Sequence, residues 1–301
     1  MNDRTKLALT PAASPLSRRT VLSGMGMAAV LPFVSSLGHA QSGAPASAAA
    51  SSTAPAATGA PQLPLKTTGL EHMGTVVPDV AAAGKFYGRL FNPELHKEKE
   101  LPLRYYVTLG VGYLALGSRA NETRAFFDHF CALVQDYDAK GMAQELQAGG
   151  LPAGRYGIIP DPDAIGLQLL GVPGGLAKST EPAGRIVQED ALVKPKGLDQ
   201  VVLHVADLEK SVQFYRKFFG KEASRTADQA WFQIVNTRLG IEVAPAGGPA
   251  RIDRIVVKCE PFDRASVSRE LTKLGAKVAP GTGKSLRFTD PIDLGIELLP
   301  A

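Results

Sequence analysis

The chain has 301 residues, 45% hydrophobic, 21% charged and 7% aromatic, with a formal charge of +4. That length argues for one large or two modest domains, and the composition excludes a disordered or collagen-like chain. Residues 1–40 hold Arg4, Lys6, Arg18 and Arg19 against Asp3, so +4 less +3 leaves about +1 for the rest, which excludes an electrostatic footprint for nucleic acid or an anionic membrane.

At the N-terminus, Ser17-Arg18-Arg19-Thr20-Val21-Leu22 opens an apolar stretch that runs to Leu37 and is interrupted by Ser23, Gly24, Gly26, Pro32, Ser35 and Ser36. It is too short and too rich in Gly and Ser for a stable span, so the mature chain is expected to carry none. Gly38-His39-Ala40 offers a cleavage point before Gln41. The paired arginines resemble the bacterial twin-arginine signal, which implies a periplasmic protein carried already folded by the twin-arginine export machinery. An ordinary secretory signal or an uncleaved lipid-surface anchor is the other reading, and either still puts the body outside the cytoplasm. Residues 41–68 follow as a flexible linker, rich in Ala, Ser and Pro and without charge up to residue 64.

The body repeats itself. A shift of 128 positions lays Leu70, Val77, Asp79, Phe86, Tyr87 and Phe91 on the identical Leu198, Val205, Asp207, Phe214, Tyr215 and Phe219. Each match begins with a β-branched run, and Asp79 or Asp207 then stands at a helix N-cap before apolar residues three and four apart. A weaker echo follows within each half. Phe127-Asp128-His129-Phe130 and Ile252-Asp253-Arg254-Ile255 open new strands, a helix follows each, and Asp161-Pro162 or Asp290-Pro291 turns into a final alternating strand. The pattern predicts an α+β fold of four βαβββ units, near 70–117, 126–171, 198–244 and 252–299. The units pair into a first module over 69–172 and a second over 198–301, with a Pro/Gly-rich linker at 173–197.

Paired units of this length, with Leu-x-His near the start of a strand, Phe-Tyr in the next helix and Asp-Pro before a terminal Gln or Glu strand, resemble the vicinal oxygen chelate superfamily of glyoxalase-like, extradiol-dioxygenase-like and antibiotic-resistance proteins. The resemblance implies open, cup-like mixed sheets whose first and last strands aim side chains at one divalent metal. In the first module the matching positions are His72, Ala115, His129 and Gln168, so His72, His129 and Gln168 are the implied metal ligands. Gln168 is neutral where extradiol-like members carry Glu, which weakens metal affinity and leaves the ion a stronger Lewis acid. The second module shows Gln200, Glu242, Arg254 and Glu297 at the same positions. A guanidinium has no lone pair to give, so Arg254 reads as a built-in cation pairing with Glu242 and Glu297 in a degenerate site. Its rival role is to anchor a substrate carboxylate or phosphate.

Tyr156 stands roughly where extradiol-like members carry a catalytic Tyr, although its spacing to Gln168 is longer than that motif allows. His39 lies in the signal segment, His96 and His204 lack a partner at ligand spacing, and Cys131 and Cys259 read as buried free thiols. The implied function is an exported metalloprotein acting on a small substrate with vicinal oxygens. Fe(II) in the site would suit ring cleavage by a dioxygenase, and Zn, Ni or Mn would suit lyase or isomerase chemistry. The alternative is a metal-free periplasmic module that binds a small ligand. An oligomer, including one that exchanges units between chains, is compatible with this repeat plan.

Overall fold

The computed structural model describes residues 61–151, 157–281 and 283–301. The expected signal segment, most of the linker after it, and Tyr156 lie outside the described residues.

Among the described residues four helices, α1 (Val80–Leu90), α2 (Ala139–Ala148), α3 (Leu208–Phe219) and α4 (Arg264–Lys273), each start at an aspartate, Asp79, Asp138, Asp207 or Asp263, whose carboxylate accepts a first-turn backbone N–H. The first module supplies β1 (Thr67–Val76), β2 (Glu94–Glu98), β3 (Tyr105–Thr108), β4 (Tyr113–Gly117), β5 (Phe126–Val134), β6 (Ile158–Pro160), β7 (Gly166–Gly171) and β8 (Thr180–Arg185). The second supplies β9 (Pro195–Val205), β10 (Ser224–Arg225), β11 (Gln229–Ile234), β12 (Thr237–Val243), β13 (Arg251–Cys259), β14 (Lys277–Val278), β15 (Leu286–Thr289) and β16 (Gly295–Pro300). Two eight-stranded mixed sheets result, ordered β6-β7-β5-β1-β4-β3-β2-β8 and β10-β11-β12-β9-β13-β16-β15-β14. Three units follow helix with three strands. The second shows β6 and β7 after α2 among the described residues.

Residues 180–185, expected inside a linker, form β8 against β2 instead. Local Pro/Gly content read as loop, whereas an open sheet edge offers unpaired N–H and C=O groups that recruit the passing chain.

One hydrophobic core runs through both modules. The repeated motifs meet across it in a reciprocal exchange. Tyr87 of α1 donates its hydroxyl to Asp290 Oδ2 at 2.6 Å, and Tyr215 of α3 donates to Asp161 Oδ2 at 2.9 Å. The other oxygen of each aspartate orders its own turn, Asp161 accepting from the Asp163 and Ile165 amides and Asp290 from those of Ile292 and Leu294. Both rings are fully buried, so their hydroxyls need these partners.

Candidate metal centre in the first module

An acidic residue precedes the inward position in the first strand of every unit: Glu71-His72, Asp128-His129, Asp199-Gln200 and Asp253-Arg254. Regular alternation would send the two side chains to opposite faces. At each pair, however, the β1/β5 or β9/β13 ladder carries one extra residue, a bulge between Leu70 and Met73, at Asp128, at Asp199 and at Asp253. Both side chains therefore share the concave face and bond to each other: His72 Nδ1 to Glu71 Oε2 at 3.0 Å, His129 Nδ1 to Asp128 Oδ2 at 2.9 Å, Gln200 Nε2 to Asp199 Oδ2 at 3.0 Å and Arg254 Nη1 to Asp253 Oδ2 at 3.2 Å. These carboxylates recur in all four units, a signal in the sequence that alternation alone would not assign to the site.

The first cup brings His72, His129 and Gln168 together. His72 Nε2 lies 2.9 Å from Gln168 Oε1, and the His129 ring meets the His72 ring edge-on at 5.6 Å between centroids. Room for His129 comes from Gly74 beside it in β1, where a Cβ would sit 2.7 Å from His129 Nε2. Tyr113 stacks on His72 at 4.5 Å, and Tyr106, Tyr113, Ala115 and Leu176 form a small apolar wall. Cys131, level with Gln168 in the ladder, joins Glu71 and His72 in a buried cluster with metal-ligand spacing. Burial and the Glu71 charge push the Cys131 thiol well up, so it keeps its proton, and with Cys259 it is a buried free cysteine.

Electrostatically this cup is unbalanced. Glu71 is 3% exposed, and among the described residues its sole ion-pair partner is His72. Burial holds the His72 imidazole below its ordinary pKa, against the raising influence of Glu71. A neutral imidazole carries one N–H, yet this ring faces an oxygen at each nitrogen. With that proton on Nδ1 toward Glu71, Nε2 presents a lone pair to the Gln168 carbonyl. A cation with ligand distances of about 2.1 Å fits between atoms so spaced and supplies the missing charge. The donor set therefore suits a divalent metal.

The second cup holds its own cation. Arg254 Nη2 lies 3.0 Å from Glu242 Oε1 and Nη1 3.2 Å from Asp253 Oδ2, while Nε is 3.8 Å from Glu297, too long for a hydrogen bond. Gln200 turns to Asp199. His204, given no role from sequence, stands between Glu242 at 3.6 Å and Asp253 at 3.3 Å. The ladders also correct one correspondence: Ala115 pairs with Gly74 as Gly240 pairs with Val202, so Glu242, opposite His204, answers to Gly117 and not to Ala115. His96, likewise given no role from sequence, pairs with Tyr106 across β2 and β3 and has a buried Nδ1 with no hydrogen-bond partner among the described residues. A cleft of about 390 Å3 lined by Pro78, Phe126, Arg251, Ile252 and Leu294 includes none of the first-cup ligand positions.

Residues 197–290 match the family model described as Glyoxalase/Bleomycin resistance protein/Dioxygenase superfamily. A curated relative from Arabidopsis thaliana, described as a probable chloroplastic lactoylglutathione lyase, is 25% identical over 190 residues, which cover 56% of this chain and 49% of that protein. The chain thus spans about half the length of that relative. Among solved structures, a catechol 2,3-dioxygenase superposes with a TM-score of 0.57 at 15% identity, covering 78% of this chain and 88% of the other. The Mn(II)-bound glyoxalase from Novosphingobium aromaticivorans gives 0.57 at 16% identity, covering 78% and 82%. The fold is that of these enzymes, and the match to the family model lies in the second module, over residues 197–290.

Proposed function

We propose that the protein is a metal-dependent enzyme of the first cup, acting on a small substrate with two adjacent oxygens, and that His72, His129 and Gln168 hold the metal. One observation carries the reading: His72 is clamped between the Glu71 carboxylate and the Gln168 carbonyl in a buried site where, among the described residues, no Lys or Arg pairs with Glu71. A divalent metal bound there supplies Lewis acidity toward the substrate oxygens. The chain's own groups do the rest. Glu71 and Asp128 accept from the Nδ1 atoms and so aim each Nε2 into the cup. The Tyr113 ring fixes the plane of His72, and Tyr106, Tyr113 and Leu176 shed water from the wall. Burial, helped by the bond to Glu98, raises the Tyr106 phenol to about 12, and burial with the Glu71 charge raises Tyr113 further. Both are neutral hydrogen-bonding groups at pH 7 and not general bases.

Export through the twin-arginine route belongs to the same proposal and is supported by Arg18-Arg19 before the weakly apolar stretch. Among the described residues no helix is long and apolar enough to cross a membrane. The test is elemental analysis of the protein purified from the periplasm, beside His129→Ala. Near-stoichiometric Fe, Mn, Ni or Zn, lost in the variant and removed with activity by a chelator, supports the enzyme, and the identity of the metal selects dioxygenase or lyase/isomerase assays. No metal in the wild type after reconstitution overturns it. In that case a turned Gln168 amide donating to His72 Nε2 accounts for the contact, and a ligand-binding module remains. Retention in the cytoplasm of wild type and Arg18→Lys/Arg19→Lys alike overturns the export reading.

A further inference from the structure

We propose that Glu71 latches a strap across the first cup to the ring of His72, making the seating of the strap and the aim of that imidazole one coupled arrangement. The inference rests on the metal reading above for its functional meaning and stands on separate observations. The chain leaves β7 near one edge of the first sheet and re-enters as β8 at the opposite edge, with β5, β1, β4, β3 and β2 between them. The segment from Gly171 to Thr180 is no extended strand: Gly174 N–H donates to Gly171 O and Thr180 N–H to Ala177 O, each at 3.0 Å, so a turn stands at either end. Leu176, between the turns, marks the crossing by lying on Tyr106, Tyr113 and Ala115. The strap is fixed at both ends, Val172 N–H donating to Val134 O at 3.1 Å and Lys99 N–H to Ser179 O at 3.0 Å.

Glu71 joins this strap to the site. Its Oε2 accepts from His72 Nδ1 at 3.0 Å, and its Oε1 accepts from the backbone N–H of Gly175. Gly174 makes the approach feasible: its φ is +71°, and a Cβ there would run into Glu71 Oε1 and come within 2.6 Å of Leu133 Cδ2. The comparison with the other bulges is instructive, because Asp128 and Asp253 take their second donors from arginine side chains, Arg119 and Arg251. Only for Glu71, among these, is the second donor the backbone of a segment that covers the cup. Lifting the strap takes that donor away and admits water to Glu71, which frees the His72 ring to exchange tautomers. Seating the strap restores the Nδ1–H form with Nε2 aimed at the cup. Glu71 is thus a positioning residue, and the strap is the cover whose closure it reports to the metal ligand.

The experiment compares wild type, Gly174→Ala and Glu71→Gln without metal and on titration with Mn(II). Amide exchange over 172–178 reads the strap, imidazole 15N shifts read the His72 tautomer, and chelator competition reads affinity. Gly174→Ala touches no metal ligand, yet it is expected to speed Gly175 exchange at least tenfold, to shift His72 away from the Nδ1–H form and to weaken Mn(II) binding about tenfold. Glu71→Gln is expected to loosen the strap from the other end of the latch, which keeps the proposal decidable should Gly174→Ala fail to fold. A wild-type tautomer and affinity in Gly174→Ala, or unchanged strap exchange in Glu71→Gln, overturns the latch. A wild type that binds no Mn(II) or other divalent metal overturns the metal reading instead, while the metal-free tautomer and exchange data still decide the latch.

Discussion

The two cups are built on the same bulged strands and differ in where their positive charge comes from. In the first, Glu71 and Asp128 sit behind His72 and His129, and among the described residues no guanidinium pairs with the buried Glu71. In the second, the position of His129 is Arg254, which reaches Glu242 and Asp253 at once. The residue beside it in the ladder changes too, Gly74 beside His129 becoming Val202 beside Arg254. An inward-facing set of oxygens needs a cation. The second module carries one covalently, whereas the first, on the function proposed above, would take an ion from solution between two imidazoles and a carbonyl.

That contrast is broken most severely by moving the tethered cation into the first cup. His129→Arg places a guanidinium beside Asp128 and is expected to abolish metal binding, at least 100-fold by chelator competition, while the melting temperature stays within a few degrees because Asp128 accepts it as Asp253 accepts Arg254. Metal bound with wild-type affinity would mean that His129 is no ligand. The reverse exchange has two grades. Arg254→Ala leaves Glu242 and Asp253 short of their shared cation and is expected to cost about 3 kcal/mol in urea unfolding, the low end for a broken buried pair because these groups keep some access to water. Arg254→His is expected to recover most of that loss when Zn(II) is added and to bind a second equivalent, measured by elemental analysis, since Glu242, His204 and Glu297 surround the position. An Arg254→Ala protein as stable as wild type, but with a lost ligand, would return Arg254 to the role of substrate anchor.

The four-unit plan was legible because duplication left Phe-Tyr, Asp caps and Asp-Pro in register, and the structure puts all three to use at helix starts and across the module junction. That His72, His129 and Gln168 would meet was implied by the family resemblance, and the three side chains do stand together. What escaped was whatever depends on a departure from period. A bulge reverses the face of one residue, so Glu71 and Asp128 looked like outward neighbours of the ligand positions. His204 was passed over because its partners, Glu242 and Asp253, arrive from β12 and β13, far away in sequence. Glu242 was matched two residues off for want of a ladder to count along. The strap and β8 escaped because Pro173, Gly174 and Gly175 spell a loop, and no local signal says which face of the sheet that loop must cross.

The gentlest test asks whether the two halves are equivalent where they join. Tyr87→Phe and Tyr215→Phe each remove one O–H donor from a buried aspartate, Asp290 or Asp161, and are each expected to cost about 2 kcal/mol at pH 7. Burial raises both carboxyls above their ordinary value while the tyrosine hydrogen bond pulls them back. Loss of the hydroxyl therefore raises the folded-state pKa further, and a carboxyl raised on folding stabilises the fold below its unfolded pKa and loses that contribution as pH climbs through the folded value. The penalty of each substitution should accordingly be smallest about one unit below the unfolded Asp pKa of about 3.9, where both states are protonated, and should grow toward neutrality, as read by urea midpoints across that range. Equal curves for the two variants are the outcome expected of a reciprocal joint. A penalty that is flat with pH would mean that the hydroxyls do not serve the ionised carboxylates, and a penalty confined to one variant would show that one module leans on its partner without being held in return.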